Sequence, residues 1–123
     1  MFKLMLIAGA GGFIGTSARY LINQAFLRNN PLDWPLATFA INILGCFLFG
    51  LITALFQRSG ILSPKLNTFL VTGFCGGFTT FSTFSFEAFS MANSGLLFSS
   101  VLYLALSVIL GLLAVWAGIA LAS

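Results

Sequence analysis

The 123-residue chain is 59% hydrophobic and 6% charged, with a mean hydropathy of +1.09 and a formal net charge of +3 from five basic and two acidic residues. A soluble domain carries about 25% charged residues, so this chain cannot cover itself with a polar surface and reads as a membrane protein. Its few basic residues form no patch, which excludes nucleic acid as a partner. Histidine is absent, and Cys46 and Cys75 lie inside apolar runs without CxxC spacing. Zinc and redox sites are therefore excluded, and both thiols read as small buried hydrophobes.

A membrane span needs about 20 apolar residues. The first such segment runs from about 4 to 27 and ends in the polar, turn-rich stretch from Arg28 to Pro35. Its start, Lys3 followed by an apolar run and small residues, resembles a signal peptide. Hydrophobicity continues past Gly15 to Leu27, however, which predicts an uncleaved span. Gly9, Gly11, Gly12 and Gly15 do not fit a GxGxxG phosphate loop, and no strand precedes them. Gly11 and Gly15 instead make a GxxxG face for close helix packing. Arg19, near the end of this span, can snorkel to the interface or give an aqueous vestibule a positive potential.

The second span covers about 36 to 56 and is closed by Gln57-Arg58-Ser59-Gly60 and Ser63-Pro64. Thr38, Asn42, Gly45 and Phe49 recur there at helical spacing and share a face. The Asn42 amide can donate to an anion or bond a neighbouring helix. Both readings stay open.

The third segment, about 65 to 91, is the unusual one. From Gly73 to Glu87 it carries Gly73, Gly76 and Gly77, a run of hydroxyls, closely spaced phenylalanines and one carboxylate. Backbone that interrupts a helix at membrane depth survives only where protein buries it or where it lines a water- or ion-filled cavity. The stretch therefore reads as part of a passage. Asn93-Ser94-Gly95 predicts a tight turn, and the fourth span occupies about 96 to 121, with Tyr103, Ser107 and Gly111 on one face. The whole chain is thus a single four-helix transmembrane domain, all-α, with short connections.

Ionisable and polar groups inside spans are read as functional by default. Acid–base machinery is missing, because there is no histidine, no carboxylate pair and no serine with an activating base. What remains is uncharged donors (Asn42, Ser82, Thr83, Tyr103, Ser107) interleaved with Phe81 and Phe84. A phenyl ring is positive at its edge and negative on its face. Edges turned to a pathway suit a small dehydrated anion and faces suit a cation, so chemistry alone leaves the sign of the ion open. Lys3, Arg58 and Lys65 fall on one side of the membrane and Arg19 and Arg28 on the other. Orientation tracks an excess of positive charge, and this bias is slight. Insertion in both orientations, with two opposed copies pairing, is the expectation; a single orientation set by Arg58 and Lys65 is the alternative.

Three motifs carry a resemblance: Gly11-Gly12-Phe13-Ile14-Gly15 with Arg19-Tyr20 after it; Thr38 to Asn42 with Gly45 and Gly50; and Gly73 to Glu87. In their order and in the four-span layout, the chain resembles the small bacterial fluoride channels of the Fluc, or CrcB, family. The resemblance implies a dual-topology antiparallel homodimer in the bacterial inner membrane, surrounded by lipid, passing fluoride through two pores at the subunit interface. It implies that Phe81 and Phe84 present ring edges to the ion and that Asn42, with Thr38, donates along the same route. Ser82, Thr83, Tyr103 and Ser107 would complete a polar track. Gly76 and Thr79 would offer carbonyls to a structural sodium ion on the two-fold axis. Arg19 would make the vestibule positive, and Glu87 would lie near a pore mouth. A second reading is a small dual-topology exporter of cationic drugs using Glu87 as its membrane carboxylate. A third is an assembly subunit without transport, which leaves the broken span unexplained.

Overall fold

The computed structural model describes residues 1–29, 34–60 and 63–122, with the side chains of 27–29 outside the description. Of the turn-rich stretch expected from Arg28 to Pro35, residues 30–33 lie outside the described residues, as do 61–62 between Gly60 and Ser63. All the regular structure among the described residues is helical: α1 (Phe2–Asn29), α2 (Leu36–Ser59), α3 (Pro64–Asn67), a π-helical stretch (Thr68–Cys75), α4 (Gly76–Phe78), α5 (Phe81–Asn93) and α6 (Leu97–Ala122). Segments α3 to α5 together form the third span. Among the described residues, four helical segments are thus long and apolar enough to cross a membrane.

Local sequence sets the ends. Pro35 cannot continue a helix backwards, and α2 begins directly after it, with the Phe39 N–H donating to the Pro35 carbonyl at 3.1 Å. Gly60 closes α2 at φ +70°, where its N–H returns to the Phe56 carbonyl at 3.1 Å. Ser63 caps α3 by accepting from the Leu66 N–H at 3.2 Å, and Pro64 occupies the first helical position. The turn predicted at Asn93 to Gly95 is present. Gly95 sits at φ +85°, and the Leu96 N–H donates to the Met91 carbonyl at 2.9 Å.

The π-helical stretch was not signalled by the sequence. Its i→i+5 bonds widen the helix over Thr68–Cys75, directly before the interruption. At Thr79 and Thr80 the backbone is extended (φ −85°, ψ 160° and φ −149°, ψ 122°), so the break falls just after the glycines. Phe81, Ser82, Thr83 and Phe84 accordingly form the first turn of α5.

Two seams hold the helices together. Along the first, α1 runs parallel to the π-helical stretch and α4. A Cβ on Gly11 would strike the Phe69 carbonyl oxygen, and one on Gly15 the Phe74 carbonyl oxygen and, at 2.9 Å, the Phe78 nitrogen. The GxxxG face read from the sequence is thus the face that lets α1 touch backbone of the third span. Along the second, α2 packs extensively on α6, where Gly50 and Gly118 meet Val115 and Phe47 main chain. The Arg58 Nη1 donates to the Ala122 carbonyl at 2.8 Å, tying the C-terminal ends of the two helices. Between the pairs, Ala88, Met91 and Tyr103 form a small core with Trp34, Phe39 and Phe84 packed against it.

Candidate functional site

A helix interruption frees backbone donors and acceptors that must be paired in an apolar surrounding. Here several of them are paired by side chains from the neighbouring helices. The Asn42 Nδ2 donates to the Thr80 carbonyl at 3.1 Å, and the Thr80 N–H donates to the Asn42 Oδ1 at 3.0 Å. The amide thus pairs both polar groups of one extended residue, as a β-strand partner would. The Arg19 Nε donates to the Gly77 carbonyl at 3.0 Å, and the Thr16 hydroxyl approaches the same oxygen at 3.4 Å. The Thr79 hydroxyl donates to the Cys75 carbonyl at 3.0 Å. The Thr80 hydroxyl caps α5, accepting from the Thr83 N–H at 3.3 Å, and lies 3.4 Å from the Ser82 hydroxyl.

The break borders an open cleft of about 720 Å³. Asn42, Gly76, Thr79, Phe81, Phe84 and Ser107 all line it, together with Thr80, Cys46 and Cys75. Six of the residues singled out from the sequence therefore meet on one surface. Phe81 is 78% exposed, and its ring centroid lies 6.0 Å from that of Phe84 at 49°. The Ser107 Oγ is buried without a hydrogen-bond partner among the described residues. An amide NH₂ carries two donors, and Thr80 takes one of them, which leaves Asn42 a second for a ligand in the cleft.

The other predicted residues are placed elsewhere. Arg19, Thr38 and Thr83 line a smaller cavity of about 160 Å³, which Thr80 also borders, so the break residue touches both spaces. Glu87 lines a third cavity, of about 360 Å³, beside Trp34 and Phe86. Tyr103 is fully buried at 0% exposure and does not line the cleft; its hydroxyl donates to the Glu87 Oε1 at 3.2 Å. Thr38 is buried, at 3% exposure. Rings connect the two regions: Phe84 lies 5.1 Å from Tyr103, and Tyr103 lies 5.2 Å from Trp34, edge-on. The Ser100 hydroxyl fixes α6 to α5 by donating to the Ala88 carbonyl at 2.6 Å. Ser82 is exposed at the start of α5.

Sequence reasoning missed Thr80, which caps α5, pairs with Asn42 and separates two cavities. A threonine directly before a phenylalanine-rich helical run, three residues ahead of Thr83, is the capping signal that could have found it. It also missed that Arg19 is spent partly on a backbone carbonyl.

Four apolar spans, one of them broken beside a cleft lined by neutral donors and phenyl rings, define a multi-pass membrane protein of the transport class. Residues 6–119 match the family described as CrcB-like protein, Camphor Resistance (CrcB), and the chain belongs to that family. A protein of Chlorobium luteolum named fluoride-specific ion channel FluC is 50% identical over 115 residues, covering 94% of this chain and 88% of the relative. Proteins given the same name are 46% identical in Prosthecochloris aestuarii, over 98% of this chain and 94% of the relative, and 40% identical in Flavobacterium psychrophilum, over 98% and 97%. These relatives are named as ion channels, not as enzymes.

The clamp at the break is testable by stability. Asn42→Ala leaves the N–H and C=O of Thr80 unpaired, at about 1–3 kcal/mol for each buried group. Unfolding in mixed micelles is expected to show that loss. Asn42→Asp, which still accepts from the Thr80 N–H, should fall between the alanine variant and the native chain. A native-like alanine variant would mean that water or lipid satisfies the break.

Proposed function

We propose that the chain is a fluoride-specific ion channel that lets fluoride leave the cell passively and so relieves its toxicity. The observation that carries this reading is the meeting of Phe81, Phe84, Asn42 and Ser107 on one cleft at a helix break. The name shared by the relatives supplies the ion. The chain is a channel rather than an enzyme.

A small anion holds its water tightly, so a pore must replace those hydrogen bonds with fixed donors while binding weakly enough to release the ion. The second hydrogen of Asn42 and the hydroxyl of Ser107 are neutral donors of this kind. Ring edges of Phe81 and Phe84 add positive potential without a formal charge. Thr83 and Thr38, beside Arg19 in the adjoining cavity, extend the polar lining past Thr80, and Ser82 adds a hydroxyl at the start of α5. Tyr103 acts through Glu87, holding the carboxylate that lines the third cavity and would flank a pore mouth.

The same proposal includes an antiparallel homodimer, inserted in both orientations in the bacterial inner membrane. Support comes from the open side of the cleft, the exposure of Phe81, and the nearly balanced basic residues at the two membrane faces. A structural sodium ion on the two-fold axis, held by carbonyls of Gly76 and Thr79, belongs to this reading as well. Both residues line the cleft at the interruption, and opposed copies of such a break would gather carbonyl dipoles that a cation satisfies.

Fluoride efflux from liposomes tests the ring-edge mechanism. Phe81→Ile and Phe84→Ile keep bulk but remove the quadrupole, and each is expected to abolish or sharply reduce efflux while the protein still assembles. Normal efflux from both variants would defeat the mechanism.

Orientation is read by labelling intact cells with a membrane-impermeant maleimide, using Gln57→Cys in a background without Cys46 and Cys75. About half of the molecules should react if insertion is dual. Complete labelling or complete protection would establish one orientation.

For the sodium ion, replacing sodium on both sides with a bulky organic cation should leave selectivity unchanged, with activity retained or lost slowly. Sodium moving with fluoride in a fixed ratio would instead make the protein a coupled transporter.

A further inference from the structure

Two thiols remain that neither the break nor the proposed route uses. Cys46 lies on α2 one helical turn beyond Asn42, and Cys75 ends the π-helical stretch; both are free. They line the same cleft. Thr79 links their positions: its hydroxyl donates to the Cys75 carbonyl, and a Cβ built on Gly45, the residue before Cys46, would strike its methyl group. Cys75 is 3% exposed and Cys46 is half-buried.

Two cysteines lining one apolar cleft offer soft sulfur ligands. No group of three histidine, cysteine, aspartate or glutamate side chains that could hold a metal occurs among the described residues. Tetrahedral zinc, which takes four ligands of this kind in a structural site, is therefore poorly served. A soft cation that is satisfied by two thiolates fits the donor set.

We propose that Cys46 and Cys75 of one chain together hold one soft, two-coordinate metal cation of the Cu(I), Ag(I) or Hg(II) type inside the cleft. On binding, both S–H bonds break, two metal–sulfur bonds form and two protons pass to water, with no change of oxidation state. The bound ion lies one turn from Asn42, in the cleft that Phe81 and Phe84 also line, and so obstructs passage. That obstruction rests on the fluoride-channel reading; the binding does not.

The probe is Hg(II), titrated into the purified full chain in detergent. One ion per chain is expected, with metal–thiolate charge-transfer absorption saturating at that ratio and both thiols then closed to maleimide. Cys46→Ser and Cys75→Ser should each weaken binding by more than about tenfold in competition with a small dithiol. Cys→Ala variants serve where a serine variant fails to fold. Two ions per chain, or single-cysteine variants that bind as tightly as the native chain, would show thiols acting alone and overturn the site. One ion per two chains would place it between copies and overturn it equally. In liposomes, metal-loaded native protein should lose fluoride efflux and regain it with dithiol, whereas the double serine variant should not respond. Undiminished efflux from fully loaded protein would overturn the placement in the passage. A chain that passes no fluoride even without metal would refute the channel reading, and the titration would still decide the thiol site.

Discussion

The structure depends on how the peptide groups freed at Thr79 and Thr80 are paired. An unpaired backbone group in hydrocarbon costs several kcal/mol, which is why membrane spans are normally unbroken. Here Asn42 reaches from α2 to both polar groups of Thr80, while Arg19 and Thr16 reach from α1 to the Gly77 carbonyl. The interruption is therefore a junction of three spans, and its position is set by side chains rather than by loop length. The first turn of α5 starts from this junction, so Phe81 and Phe84 inherit their placement from Asn42.

The glycine seam makes the junction reachable. Arg19 lies one turn beyond Gly15, and its Nε meets the Gly77 carbonyl only because α1 approaches the third span at backbone contact. Adding a Cβ at Gly15 would push the helices apart and lengthen that bond. The π-helical stretch contributes in the same way. Each i→i+5 turn takes in about one residue more than an α-turn and rotates the helix beyond it relative to the helix before it. Gly73 can then face Ala8 and Gly11 of α1 while Cys75 and Gly76 border the cleft on the other side. On the second seam, the parallel packing of α2 on α6 aligns Asn42 and Cys46 with Ser107 across the cleft.

Much of this was legible in the sequence because its causes are local. Four apolar runs, the Gly11–Gly15 face, the turn at Ser94–Gly95 and a disrupted third span all arise from side-chain hydrophobicity and backbone propensity. The π-helical stretch was not legible, since no residue type separates i→i+5 from i→i+4 pairing when both bury the same apolar surface. The break was expected within Gly73 to Glu87, and inside that stretch Thr79 and Thr80 carry it, as extended backbone suits β-branched residues and Thr80 can cap the next helix. Helical spacing put Tyr103 and Ser107 on one face, which is right for α6 and insufficient for the site. One turn apart along that face the neighbour changes, and Tyr103 meets Glu87 while Ser107 meets the cleft. Which of two aligned residues borders the cleft is decided by the opposing helix, and a single helix's periodicity does not contain that.

The same geometry joins the demands of folding and of ion passage. Asn42 holds Thr80 through two hydrogen bonds, so its amide plane is fixed before any ion arrives, and its remaining donor is already oriented. Ser107 shows the converse. A buried hydroxyl without a partner costs about 1–3 kcal/mol, so folding alone gains nothing from it. Weak, neutral donors held rigid by the break can substitute for water around a small anion and still release it. A charged residue in their place would bind the ion more strongly and slow its exit. The break thus supplies more than an opening, because satisfying its backbone is what orients the donor on Asn42.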